Sequence, residues 1–192
     1  MKTIKSIALF CGSSEGRDIR YRSAAEEMAD LLYHHKVTMI YGGGNRGLMG
    51  IAAERLYSQG GEVIAVMPRL FDRSDVRIKS VEAKMIVTDT MHERKARMYE
   101  MSDAFVAMAG GVGTFEEILE VFTWLQLGLH TKAVALLNTA GFYDPLLTFL
   151  HHAGGEGFIK QELLDALIVD DDPARLLSRI AVFSPHLGDK LS

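Results

Sequence analysis

The chain has 192 residues, 48% of them hydrophobic and 24% charged, with a formal charge of −4. This length and mix suit one globular α/β domain over residues 1–192 with a substantial buried core, and no second domain is needed. Lys and Arg are scattered rather than clustered, which excludes a basic footprint for nucleic acid, and no apolar run approaches the roughly 18 residues of a membrane span.

The opening stretch "MKTIKSIALFCGSS" sets lysines before an apolar run. Ile7 to Phe10 is too short for a lipoprotein signal and bulky Phe10 precedes Cys11, so the stretch reads as a first strand, Ile4–Cys11. The single cysteine excludes an internal disulfide and fits a reducing cytoplasm. Further strands are predicted at Val37–Tyr41, Val63–Met67, Met85–Val87, Ala104–Met108, Ala133–Leu137 and Leu167–Val169, with helices between them at 20–34, 47–59, 90–101, 114–127, 143–153 and 173–182. Asp172-Pro173 marks the last helix as N-cap followed by proline at the first helical position. Short β-branched runs alternating with helical patterns are the βαβ signature of a parallel sheet.

Ligands of an open parallel sheet bind beyond the carboxyl ends of its strands, so the loops there carry the functional signal. In "CGSSEG", Ser13 and Ser14 offer hydroxyls and backbone donors to an anion; the ordinary alternative is a strand-to-helix turn with an N-cap serine. "YGGGNRGLMG" holds Gly42, Gly44 and Gly47 as a literal G-x-G-x-x-G between a strand and a helix. A dinucleotide site also wants an acidic residue at the end of the next strand, where this chain has Pro68 and Arg69, which argues against NAD and leaves Arg69 as the basis of an NADP reading. The loop still suits an anion, because glycines let backbone N–H groups approach a phosphate at a helix N-terminus.

The third loop, "MAGGVGTFEE", places Gly110, Gly111, Val112 and Gly113 before a helix that Thr114 can start. Thr114 then offers a hydroxyl and free N–H groups at the positive end of the helix dipole. Glu116 and Glu117 fall in the first turn, where the alternative roles are dipole compensation and capping. Without a P-loop lysine the stretch is not a Walker cradle. Ahead of it, "MHERKARM" sets Arg94 and Lys95, with Arg97 nearby, one strand away; they suit phosphate or carboxylate binding, or a solvated helix face. His92 has no partner at metal-ligand spacing, so no metal is expected.

Taken together, "YGGGNRGLMG", "MHERK", "AGGVGTFEEILE" and "TWLQLGLH" resemble, in order and spacing over nearly the whole chain, the LOG family of cytokinin riboside 5′-monophosphate phosphoribohydrolases, often mislabelled lysine decarboxylases. The family signature PGGxGTxxE spans Ala109 to Glu117, with Ala109 in place of proline; a looser loop is expected there, since proline stiffens the turn and gives no catalytic group. The resemblance implies a Rossmann-like, doubly wound, three-layer fold, a homodimer, no cofactor, and hydrolysis of adenine-type nucleoside 5′-monophosphates to free base and ribose 5-phosphate. It implies catalytic roles for Arg94 and Glu117, and a nucleotide site of Arg94, Lys95, Gly110, Gly111, Gly113 and Thr114, with Glu116 beside it and Thr123 as a weaker member; Ser13, Gly44 and Val112, from the loops read above, complete the expected site.

The chemistry fits those residue types. Breaking C1′–N9 develops positive charge on the ribose, which a carboxylate at Glu117 can stabilise while activating water. No residue declares itself as the acid; Glu116 or a water can serve. Arg94 cannot, because its pKa is too high, and it suits orientation of substrate and Glu117. Two rivals come from other classes: a non-catalytic nucleotide binder on the same fold, and a pyridoxal phosphate decarboxylase, for which no lysine stands in a recognisable aldimine context. Finally, "EVFTWLQLGLH" makes its helix apolar on more than one face through Phe122, Trp124, Leu125 and Leu129, which points to a helix shared with a second copy.

Overall fold

The computed structural model describes residues 4–71 and 84–185. Seven strands, β1 (Ser6–Phe10), β2 (Thr38–Tyr41), β3 (Val63–Pro68), β4 (Met85–Thr88), β5 (Ala104–Ala107), β6 (Ala133–Leu137) and β7 (Leu167–Asp170), make one sheet in the order β4-β3-β2-β1-β5-β6-β7. Every pairing is parallel. The helices are α1 (Ile19–His34), α2 (Gly47–Ser58), α3 (Met91–Met101), α4 (Val112–Gln126), α5 (Asp144–Gly155), α6 (Gln161–Ala166) and α7 (Pro173–Ala181).

The central strands β1, β5 and β6 are buried on both faces, which is why they read as continuous apolar runs, whereas the edge strand β4 is only partly buried. In β1 and just beyond it, Ile7, Leu9 and Cys11 join a core with α1, α2 and α7, while Ala8 and Phe10 join a second core with α3, α4, α5 and α6. Helices thus cover both faces of the sheet, giving three layers. The expected strands and helices are all present; α6 has no counterpart in the sequence reading, and α4 begins at Val112 rather than at 114. Its start matters for the site. At the far end of the chain, Asp172 caps α7 by accepting from Arg175 N at 2.8 Å, with Pro173 in the first turn.

From β1 the chain steps outward to β2, β3 and β4, then crosses back through α3 to β5 on the other side of β1. The winding therefore reverses between β1 and β5, and a crevice opens beyond their carboxyl ends. Among the described residues no helix is long and apolar enough to cross a membrane.

Candidate active site

The loops after β1, β2, β3 and β5, with the first turns of α3 and α4, enclose a cavity of about 720 Å³ at this crevice. Glycines let the loops interlock. Gly47 has φ +59°, and a Cβ there would stand 2.3 Å from the Ser13 carbonyl carbon. A Cβ on Gly110 would meet Thr114 Oγ1 at 2.2 Å and Gly12 N at 2.9 Å. Gly12 N donates to the Ala109 carbonyl at 2.9 Å, Met108 N to Phe10 O at 2.9 Å, and Tyr143 Oη to Met108 O at 2.7 Å. Ala109, in the position of the signature proline, thus lies in a segment tied to β1 on one side and to Tyr143 on the other. Gly111 and Gly113 differ: a Cβ on either would meet nothing within 4 Å.

The first intrahelical bond of α4 runs from Phe115 N to Gly111 O at 3.1 Å, so the N–H groups of Val112, Gly113 and Thr114 have no acceptor within the helix. The N-cap, Gly111, brings no side-chain oxygen to cover them. Arg46, the N-cap of α2, brings none either. By contrast α1 is closed by Asp18, and α3 by a capping box of Thr90 and Glu93. Helix α4 thus presents bare donors at the positive end of its dipole, whereas at α2 the Met49 N–H donates to the Gly12 carbonyl at 3.3 Å.

Arg94 on α3 and Glu117 on α4 meet across the cavity, Nη2 to Oε1 at 2.9 Å, with side chains only 11% and 12% exposed. The approach to Oε1 is off the hydrogen-bonding direction, so the contact is an ion pair without a well-aligned hydrogen bond. The guanidinium is held from behind: Nε donates to Val66 O at 3.1 Å, and Gly42 leaves room for Nη2, which a Cβ would approach to 2.3 Å. That is the structural work of the first glycine of G-x-G-x-x-G. Burial raises the Glu117 pKa above the usual carboxylate range; Arg94 pulls it down without cancelling the burial, and Glu116 adds to the rise. A carboxylate with heightened proton affinity, shielded from bulk water, suits a general base.

Residues 49–180 match a protein family described as possible lysine decarboxylase. The chain is 40% identical over 188 residues to a cytokinin riboside 5′-monophosphate phosphoribohydrolase of Arabidopsis thaliana, covering 98% of this chain and 88% of the relative. It is 47% identical over 182 residues to a probable enzyme of the same name from that plant, covering 95% and 90%. The chain belongs to the LOG family. Among solved structures, the molybdenum cofactor binding protein of Rippkaea orientalis superposes on this LOG-family chain with TM-score 0.68 at 20% identity, covering 92% of this chain and 94% of that one. At such identity the likeness carries the fold alone.

Of the residues singled out in this LOG-family sequence, Ser13, Gly44, Arg94, Gly111, Val112, Gly113, Thr114, Glu116 and Glu117 line the cavity. Gly110 lies behind its wall, packed on Gly12 and Thr114. Thr114 sits buried in the first turn of α4 rather than at its start. Lys95 is not among the residues that line the cavity and turns to α4 instead. Its Nζ donates to Glu116 Oε1 at 2.5 Å and Glu120 Oε1 at 2.9 Å. Burial pulls its pKa down, and the two carboxylates more than reverse this, so the ammonium stays charged and is a poor aldimine-forming amine. Thr123 is exposed, lies outside the cavity wall and donates to Leu119 O at 2.7 Å. Arg69 is exposed beside Asp89 at 3.2 Å. Among the described residues no group of three His, Cys, Asp or Glu is placed to hold a metal ion.

The sequence reading missed two parts of the wall. Arg46 lines the cavity from inside the quoted glycine stretch, and Met49, Met67, Phe71 and Met91 form an apolar side. Phe71 and Met91 are half exposed where they border the cavity.

Proposed function

We propose that this chain hydrolyses the N-glycosidic bond of adenine-type nucleoside 5′-monophosphates, AMP or its N6-prenylated counterpart, to free base and ribose 5-phosphate. The observation that carries the reading is the secluded Arg94–Glu117 pair, 2.9 Å apart, in the same cavity as the uncapped N-terminus of α4. The relatives' names, phosphoribohydrolases acting on cytokinin riboside 5′-monophosphates, support it. The phosphate is taken by the free N–H groups of Val112, Gly113 and Thr114, and the base by the methionine-lined side.

As C1′–N9 breaks, its electron pair leaves with the base and positive charge grows on the ribose, opposed by the Glu117 carboxylate. A water oxygen then bonds to C1′ while Glu117 accepts its proton, and that proton passes to the departing base nitrogen. Arg94 keeps its charge throughout and orients Glu117. Glu116 is bound by the Lys95 ammonium and is not needed as the acid. The reaction as written consumes only water.

The test is chromatography after incubation with AMP and with N6-prenylated AMP in parallel. Free base and ribose 5-phosphate are expected from at least one, and intact nucleotide in both would overturn the reading. We also propose a homodimer in a reducing cytoplasm. Phe122 and Leu125 are buried in the chain's own core, whereas Leu119, Leu127 and Leu129 stay exposed on and after α4 and are the surface offered to a second copy. Light scattering at micromolar concentration should return twice the chain mass; the mass of one chain would count against it.

A further inference from the structure

Of the cavity-lining residues, four carry charge: Arg46, Arg94, Glu116 and Glu117. Arg94 faces Glu117 and Glu116 is held by Lys95, so three of the four are already neutralised within the protein. Arg46 is not. It is exposed, its side chain makes no cap, and among the described residues no carboxylate pairs with it. An unpaired cation bordering the same cavity as the bare N–H donors of α4 marks a place for an anion.

Its place in the fold supports this. Gly47, the next residue, packs its backbone against Ser13 and Ser14, while Gly110 packs against Gly12 N. The Gly12–Ser14 turn is therefore the common wall between the start of α2 and the start of α4, and Arg46 borders the same cavity as the bare donors of Val112, Gly113 and Thr114.

Resting on the phosphoribohydrolase reading, we propose that Arg46 is a specificity-determining residue that binds the 5′-phosphate dianion and selects nucleoside monophosphates over nucleosides. A phosphomonoester carries about −1.5 to −2 charge at pH 7. The helix N-terminus supplies only partial positive charge, equivalent to roughly half a unit. Arg46 adds one full unit of positive charge, and the planar guanidinium can meet two phosphate oxygens at once. Because the side chain is exposed, the attraction is screened by salt.

The experiment compares wild type with Arg46→Met and Arg46→Lys. In Arg46→Met the KM for AMP and the inhibition constant of ribose 5-phosphate should rise about tenfold or more, the range for a lost charge-assisted hydrogen bond. The greater part of the loss should sit in KM rather than kcat. Arg46→Lys should restore part of it, and KM for adenosine should not move. The AMP KM of wild type should climb with ionic strength more steeply than that of Arg46→Met. An equal change for AMP and adenosine, or none for either, overturns the proposal. Calorimetric titration with AMP and ribose 5-phosphate, which needs no turnover, separates the two ideas. Tight binding by wild type that Arg46→Met weakens, with no base released by either, supports Arg46 and sinks the hydrolase. Equal binding and turnover of AMP by both proteins sinks Arg46 alone, and absent binding in wild type sinks both.

Discussion

Substituting Glu117→Gln separates catalysis from helix stabilisation. Breaking a buried ion pair by removing one partner costs about 3–5 kcal/mol where the other charge is stranded. Here two features offset that cost. Burial already disfavours the Glu117 charge, so a neutral side chain of the same shape is easier to accommodate. Arg94 also keeps its 3.1 Å bond to Val66 O. A net change within about 1 kcal/mol is expected, or about 2–4 °C in melting temperature for a chain of this size. The sign of the pH dependence is checkable too. A carboxylate with a raised folded pKa stabilises the fold below its unfolded value, about 4.3, and loses that contribution as pH rises through the folded value. Wild type should therefore lose stability relative to Glu117→Gln as pH rises from about 4.3. Turnover should fall about a hundredfold or more, equivalent to about 2.7 kcal/mol of transition-state stabilisation. If Glu117 served only to offset the helix dipole, the substitution would cost about 0.3–1 kcal/mol of stability and leave turnover nearly normal. The assay is base release by chromatography on protein whose melting curve and AMP binding are recorded alongside. Near-wild-type base release would refute the catalytic assignment.

The two glycines at the start of the α4 loop should part company on substitution. Gly110→Ala drives a Cβ into the β-branched Thr114 and the Gly12 backbone and should cost about 1–3 kcal/mol by thermal melting, whereas Gly111→Ala meets nothing within 4 Å and should keep its melting temperature while losing activity at the cavity mouth; equal melting temperatures would refute the packing assignment. Removing the phosphate from the substrate should lower kcat/KM strongly, because remote binding energy supports the chemistry at C1′, and equal turnover of adenosine and AMP would overturn the phosphate site. His130 donates from Nε2 to Val121 O at 2.9 Å and accepts at Nδ1 from Lys132 N at 3.1 Å, so both nitrogens are committed to the neutral ring. Burial lowers its pKa, with the Val121 carbonyl opposing and Lys132 adding to the effect. The unfolded chain then binds the proton first, and stability should fall as pH drops below about 6.5. Melting curves from pH 7.5 to 5.5 should be steeper for wild type than for His130→Asn, and parallel slopes would show that His130 does not carry the dependence.

The sheet was legible because its strands are short apolar runs, the central ones buried on both sides, and periodicity separates such runs from the helices between them. Helix α6, six residues long, is too short to display a helical period. The start of α4 was misjudged by two residues for a chemical reason. Thr114 is a better cap by propensity than Gly111, yet the uncapped glycine start keeps donors free for a ligand, while Thr114 fills the space that Gly110 leaves. Neighbours in sequence need not share one function. Successive helical residues point about 100° apart, and here Arg94 turns to the cavity while Lys95 turns to Glu116 and Glu120. The partner helix obeys the same rotation. Glu116 and Glu120 stand one turn apart on one face of α4 and take Lys95, while Glu117, turned about 100° from Glu116, takes Arg94. Thr123, six residues beyond Glu117, is carried about 9 Å further along the axis and out of the cavity. Arg46 obeys no period at all. Its role depends on α2 beginning at Gly47, whose positive φ and close contact with Ser13 bring the start of the helix to the crevice. A glycine motif read as a phosphate loop therefore does something more specific: Gly42 admits the Arg94 guanidinium, Gly47 brings α2 against the β1 loop, and Arg46, the charged residue between them, lines the cavity.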